Sequence, residues 1–138
     1  MLWPYSSWED ERFQPLDGLL TLDAQAGPGL KLGYLNEAGW VGYVRDGAAL
    51  IRRFAPLPER HYPDLGCNVE VYVGDQYLEL ELLGPLTELA PGATVAFTET
   101  WEVHAAEPIV DAAGLRSLAA RIDRAAPASG ETASRRLD

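Results

Sequence analysis

The sequence predicts an all-β fold, an antiparallel β-sandwich with one short C-terminal helix. Three observations predict it. Short segments rich in Val, Leu, Tyr and Trp recur between Gly, Pro and Asp residues, the punctuation of antiparallel strands rather than of alternating βα units. Asp46-Gly47 and Gly74-Asp75 each separate two such segments, as the turn of a hairpin does. With 138 residues, 47% of them hydrophobic, the chain can bury one sizeable core and is too short for two ordinary domains.

The strands expected in order are "LLTLDA" (19–24), "LKLGYL" (30–35), "GWVGYVR" (39–45), "AALIRRF" (48–54), "CNVEVYV" (67–73), "YLELELL" (77–83) and "TVAFTETWEV" (94–103). Asp46-Gly47 is a strong type I′ signal, because both central residues need positive φ and these two tolerate it best. That turn sets Arg52 opposite Val41 and Arg53 opposite Trp40. Gly74-Asp75 suits a two-residue turn of type I′ or II′, and Pro91-Gly92 has the residues that a type II turn prefers at its centre. From Glu107 the pattern changes: Leu115, Leu118 and Ile122 fall at helical spacing with Asp111 as N-cap, so a short helix packing on the sandwich is expected. Beyond Pro127, "ASGETASRRLD" has almost no apolar residues and is expected to be disordered. The organisation expected is a β domain over 1–106, a helix over 107–126 and a tail over 127–138.

Twenty-one acidic residues against 11 basic ones give a net charge of -10, which repels phosphate backbones and anionic membranes. Neither nucleic acid nor a membrane is an expected partner. No apolar run approaches the ~20 residues needed to cross a bilayer. The single cysteine, Cys67, excludes an internal disulfide, and "MLWPYSSWEDERF" lacks the basic start and apolar run of a signal peptide. A cytoplasmic location is the resulting expectation.

The second hairpin carries the chemistry. A two-residue loop at Gly74-Asp75 sets Tyr72 opposite Tyr77, Glu70 opposite Glu79 and Asn68 opposite Glu81. Val69, Val71, Leu78 and Leu80 then share an aliphatic face that must be core. Asn68, Glu70, Tyr72, Tyr77, Glu79 and Glu81 share the other. Opposed glutamates destabilise a sheet, so they need a cation, a proton or open solvent. Arg52 and Arg53 are the nearest candidate cations, pointing to opposite faces of their own hairpin.

Carboxylates accept sugar hydroxyl protons and tyrosine rings cover the apolar side of a pyranose, which points to a carbohydrate-binding face. Alternation of polar and apolar residues is also the ordinary pattern of a solvated outer face. In this register Cys67 points with Leu82 to the aliphatic side, as a buried, inert thiol. The carboxylates are hard ligands of the calcium kind, but no loop has calcium-ligand spacing, and neither metal nor cofactor is expected.

The stretches "LWPYSSWEDERF", "LGYLNEAGWVGYVRDGAALIRRF" and "YPDLGCNVEVYVGDQYLELELLGPLTELAPGATVAFTETWEV" together resemble the C-terminal half of an uncharacterised family of the galactose-mutarotase-like (aldose 1-epimerase-like) superfamily. The resemblance runs from Leu2 to about Val103 and is most specific from Tyr62 to Leu89. It implies half of a supersandwich whose concave face binds carbohydrate. It also implies that Glu81 stands where the epimerases place their general base, with Asn68, Glu70 and Glu79 lining the same pocket.

The superfamily's acid histidine lies in an N-terminal half that this sequence does not contain. His61, in "ERHYPD", is placed to reach the rim of the hairpin, and His104 ends the last expected strand. Three readings follow: a carbohydrate-binding protein, using Asn68, Glu70, Tyr72, Tyr77, Glu79, Arg52 and His61; an aldose 1-epimerase-like enzyme completed by another chain, with Glu81 as base; and a structural domain that closes its core as a homodimer.

Overall fold

The computed structural model describes residues 1–16, 19–106 and 112–125, and the chain forms two compact units, Met1–Pro108 and Ile109–Asp138. The first unit is all β. Strands β1 (Phe13–Leu16) and β2 (Leu19–Leu22) pair as a two-stranded sheet. Strands β3 (Leu30–Tyr34), β6 (Val69–Val73) and β7 (Leu78–Leu82) form a second sheet in the order β3-β6-β7. Strands β4 (Trp40–Arg45), β5 (Ala48–Phe54) and β8 (Glu99–Ala105) form a third in the order β4-β5-β8. All pairings are antiparallel. Among its described residues the second unit forms a helix, Ala112–Ala125, which carries Leu115, Leu118 and Ile122. The expected cap Asp111 and the tail over 127–138 lie outside the described residues.

Each strand expected between residues 19 and 83 is present, with its ends shortened by at most two residues. The last strand starts later than expected, at Glu99, and runs to Ala105. Strand β1, "FQPL", escapes the alternation rule because Pro15 breaks its pattern; with no N–H to give, Pro15 is tolerated in a two-stranded sheet that has only edges. The first hairpin has the predicted register, with φ of 50° at Asp46 and 79° at Gly47. At Pro91-Gly92, the Ala93 N–H donates to the Ala90 carbonyl at 2.9 Å and Gly92 has φ 81°, as a type II turn requires.

The second hairpin differs. Neither Gly74 nor Asp75 adopts positive φ, so no I′ or II′ turn forms. The loop instead spans four residues, with the Gly74 N–H donating to the Tyr77 carbonyl at 3.0 Å and Val73 opposite Leu78. The register moves by two: Glu70 faces Glu81, and Tyr72 faces Glu79. An even shift preserves which side each residue occupies, so the two faces stay as predicted. Val69, fully buried, packs with Val41 and Phe54 from the β4-β5-β8 sheet, and Tyr34, Val71, Leu80 and Leu82 pack against this cluster.

Asn68 fixes the end of β6 to the β3–β4 connection. Its Oδ1 accepts the Asn36 N–H at 2.6 Å while its Nδ2 donates to the Asn36 carbonyl at 2.9 Å. Asn36 continues the network, accepting the Gly39 N–H at 3.0 Å and donating to the Trp40 carbonyl at 2.7 Å. Gly39 is required here, since its φ is 74° and a Cβ would stand 2.8 Å from the Phe54 carbonyl oxygen. Asn68→Ala leaves two buried backbone groups of Asn36 without these partners and is expected to cost about 2–4 kcal/mol. Urea denaturation measures this directly; a loss below about 0.5 kcal/mol contradicts the clamp.

Candidate functional site

Pairing in the β3-β6-β7 sheet sets Lys31 opposite Tyr72, Gly33 opposite Glu70, and Glu70 opposite Glu81. One face therefore gathers Lys31, Gly33, Glu70, Tyr72, Glu79 and Glu81. The opposed glutamates are reconciled by Lys31, whose Nζ lies 2.8 Å from Glu70 Oε2 and 3.0 Å from Glu81 Oε1. The Trp3 ring lies 4.8 Å from the same ammonium, a cation–π contact. Backbone bonds from Trp3 to the Lys31 carbonyl and from Gly33 to the Met1 carbonyl lay the first residues along β3, and Ser6 Oγ accepts the Lys31 N–H at 2.8 Å.

Glu70 is 2% exposed, so this end of the polar face is not an open, solvated one. Gly33 makes the space: a Cβ there would lie 2.8 Å from Cys67 Sγ and 3.2 Å from Glu70 Cγ. Cys67 consequently stands beside Glu70, not toward the aliphatic face, because the chain turns sharply just before it. That turn, Pro63–Gly66, holds φ of 49° at Asp64, 62° at Leu65 and 98° at Gly66. Left-handed backbone is costly for the two non-glycine residues. The turn is closed by the Cys67 N–H donating to the Pro63 carbonyl at 3.0 Å.

Burial pushes the Glu70 carboxyl above the usual glutamate range; Lys31 pulls it back, and the neighbouring Asp64 carboxyl pushes it up again. Glu70 Oε1 is buried and without a hydrogen-bond partner among the described residues. Burial alone would lower the Lys31 ammonium, but its bonds to Glu70 and Glu81 outweigh this and hold it above its ordinary value. Burial, with Glu70 and Asp64 nearby, likewise raises the Cys67 thiol, which favours its unreactive protonated form.

The remaining predicted residues separate into two groups. Asn68 is fully buried in the Asn36 clamp. Tyr72 is half-buried, its ring 5.5 Å from that of Tyr77 and close against Gly29 and Gly74. Tyr77 is 60% exposed, Glu79 is exposed and Glu81 is partly so. Arg52 lies in the other three-stranded sheet, where it binds Glu99 at 2.5 Å, donates to the Leu80 carbonyl and faces the Trp101 ring at 5.0 Å. Arg53 binds Glu102 at 2.6 Å, and so does His104 at 3.0 Å. His61 is exposed in its loop, its carbonyl accepting the Leu86 N–H at 2.8 Å. The structure thus joins Glu70 to Glu81 and Tyr72 to Tyr77, and sets Arg52 apart from both pairs.

Lys31, Trp3, Asp64 and Asn36 were not among the residues singled out from sequence. Lys31 alone gave a signal, as the one charge alternating with Leu30 and Leu32. A further feature is a cleft of about 330 Å³ at the hairpin tip, bounded by Ala24, Ala26, Tyr43, Arg45 and the loop from Gly74 to Leu78. Among the described residues no cluster of three or more His, Cys, Asp or Glu side chains is placed to hold a metal ion, and no helix is long and apolar enough to cross a membrane. No protein-family model, curated protein or solved structure matches the chain.

The raised carboxyl fixes a pH dependence. Ionised Glu70 costs stability above its unfolded-state pKa, and the cost is lifted as pH falls through its higher folded-state value. Lys31→Met strands that carboxylate and is expected to destabilise the fold by about 3–5 kcal/mol at pH 7. The loss should shrink on going to pH 5 as Glu70 binds a proton. Urea denaturation at the two pH values tests this, and a loss that does not change with pH contradicts it.

Proposed function

We propose that this chain is a mutarotase-like β-sandwich protein that binds carbohydrate through the exposed part of the β6–β7 polar face. The observation that carries the reading is the Tyr72–Tyr77 pair, with ring centroids 5.5 Å apart and Tyr77 60% exposed, on the side of the hairpin that also presents Glu79 and Glu81. Aromatic rings offer an apolar surface at small entropic cost, and neighbouring carboxylates accept hydroxyl protons, the two things a pyranose presents. The core shared by residues of both three-stranded sheets supports the sandwich. Binding needs only groups that are already positioned. Lys31 holds Glu81 Oε1 in place without a moving part.

Asn68 and Glu70 leave the ligand set, because their side chains are buried and engaged within the fold. The reading is tested by a backbone amide NMR titration of the full chain with a panel of aldoses. Saturable shifts confined to residues 72–81 and their neighbours are expected, and Tyr77→Ala should weaken binding by about tenfold, a loss of ~1.4 kcal/mol. Absence of any shift at millimolar sugar contradicts carbohydrate binding.

A further inference from the structure

The cleft at the hairpin tip narrows the ligand class. Its polar lining comes from two elements: Tyr43 and Arg45 from β4, and Asp75, Gln76 and Tyr77 from the loop. Gly74 and the alanines Ala24 and Ala26 contribute little bulk, which leaves the 330 Å³ open to a ring. That volume is at the lower end of small-molecule sites and suits one or two sugar rings rather than a long chain.

Charge decides between neutral and ionic ligands. Arg45 is the cation of the lining and Asp75 the anion. Asp46 Oδ2 already engages Arg45 Nε at 3.0 Å. Asp75 in turn interacts with the charge of Arg12, whose side chain is bound to Asp10 at 2.7 Å. The two cations, Arg45 and Arg12, stand against three anions, Asp46, Asp75 and Asp10, so the charges at the cleft sum to -1 and their field does not draw in an anion. What the lining offers is a dense set of donors and acceptors between two tyrosines.

We propose that this cleft seats a neutral pyranose, with Tyr77 covering one ring face, Asp75 and Gln76 accepting from hydroxyls and Arg45 donating to them. The proposal rests on the carbohydrate reading above and specifies where and in what charge state the sugar binds. Tyr77 belongs to both, so the cleft continues the polar face past the end of β7.

The experiment is an amide NMR titration of the full chain with glucose, galactose and glucuronate, repeated on Asp75→Asn and Arg45→Gln. Both substituted residues are exposed, so the variants should fold. The expected result is shifts at 43–45 and 74–78 with glucose or galactose, weaker binding of glucuronate, and an affinity loss of about fivefold or more in each variant. Sugar-dependent shifts at Trp3, Lys31, Glu79 and Glu81 without any at 43–45 would overturn the cleft while leaving carbohydrate binding intact. Glucuronate binding more tightly than glucose would overturn the neutral class, and silence with all three sugars would overturn both proposals.

Discussion

One ammonium group, that of Lys31, holds three strands in register. It comes from β3, and the carboxylates it bridges come from β6 and β7. Removing a carboxylate such as Glu70 from water costs several kcal/mol, which only a close counter-charge and hydrogen bonds offset. Because Glu70 and Glu81 stand directly opposite each other, a single lysine serves both. A two-residue loop would have set Glu81 against Asn68, whose amide is already committed to Asn36. The four-residue loop and the shared lysine are therefore mutually consistent parts of one arrangement.

Around this pair the backbone accepts unusual conditions. Gly33 gives up its side chain to the Cys67 thiol and the Glu70 stem, and Asp64 and Leu65 adopt left-handed φ. Strain of this sort persists only where the surroundings enforce it. Here the enforcing contacts run from the Cys67 N–H to the Pro63 carbonyl and from Asn68 to Asn36. Arg52 performs a comparable service between the two three-stranded sheets, joining Glu99 of β8 to the Leu80 carbonyl of β7. The polar face is thus divided along its length: the Glu70 end is buried and supports the fold, and the Tyr77 end is exposed.

Much of this was legible in the sequence where the signal is local. Alternation located the strands, Asp46-Gly47 gave the first register, and the two sides of the second hairpin were correctly sorted because parity survives a shift of two. The loop length was not legible, since it depends on whether Gly74 takes positive φ, which Gly permits but does not require. Lys31 was missed for a different reason. Its place beside Glu70 follows from β3 pairing with β6, a contact between distant parts of the chain that neither strand's own pattern specifies. The burial of Glu70 was hidden likewise, because alternation marks a polar side without saying what covers it.

The most direct test of this account is a carboxyl-carbon NMR titration of the glutamates in the native protein and in Lys31→Met. With Lys31 present, Glu70 should titrate above the ordinary glutamate value of about 4.3, and in the variant its midpoint should rise further. A Glu70 that titrates at or below the ordinary value, unchanged by loss of the lysine, would mean that the carboxylate is solvated and that Lys31 does not organise the hairpin.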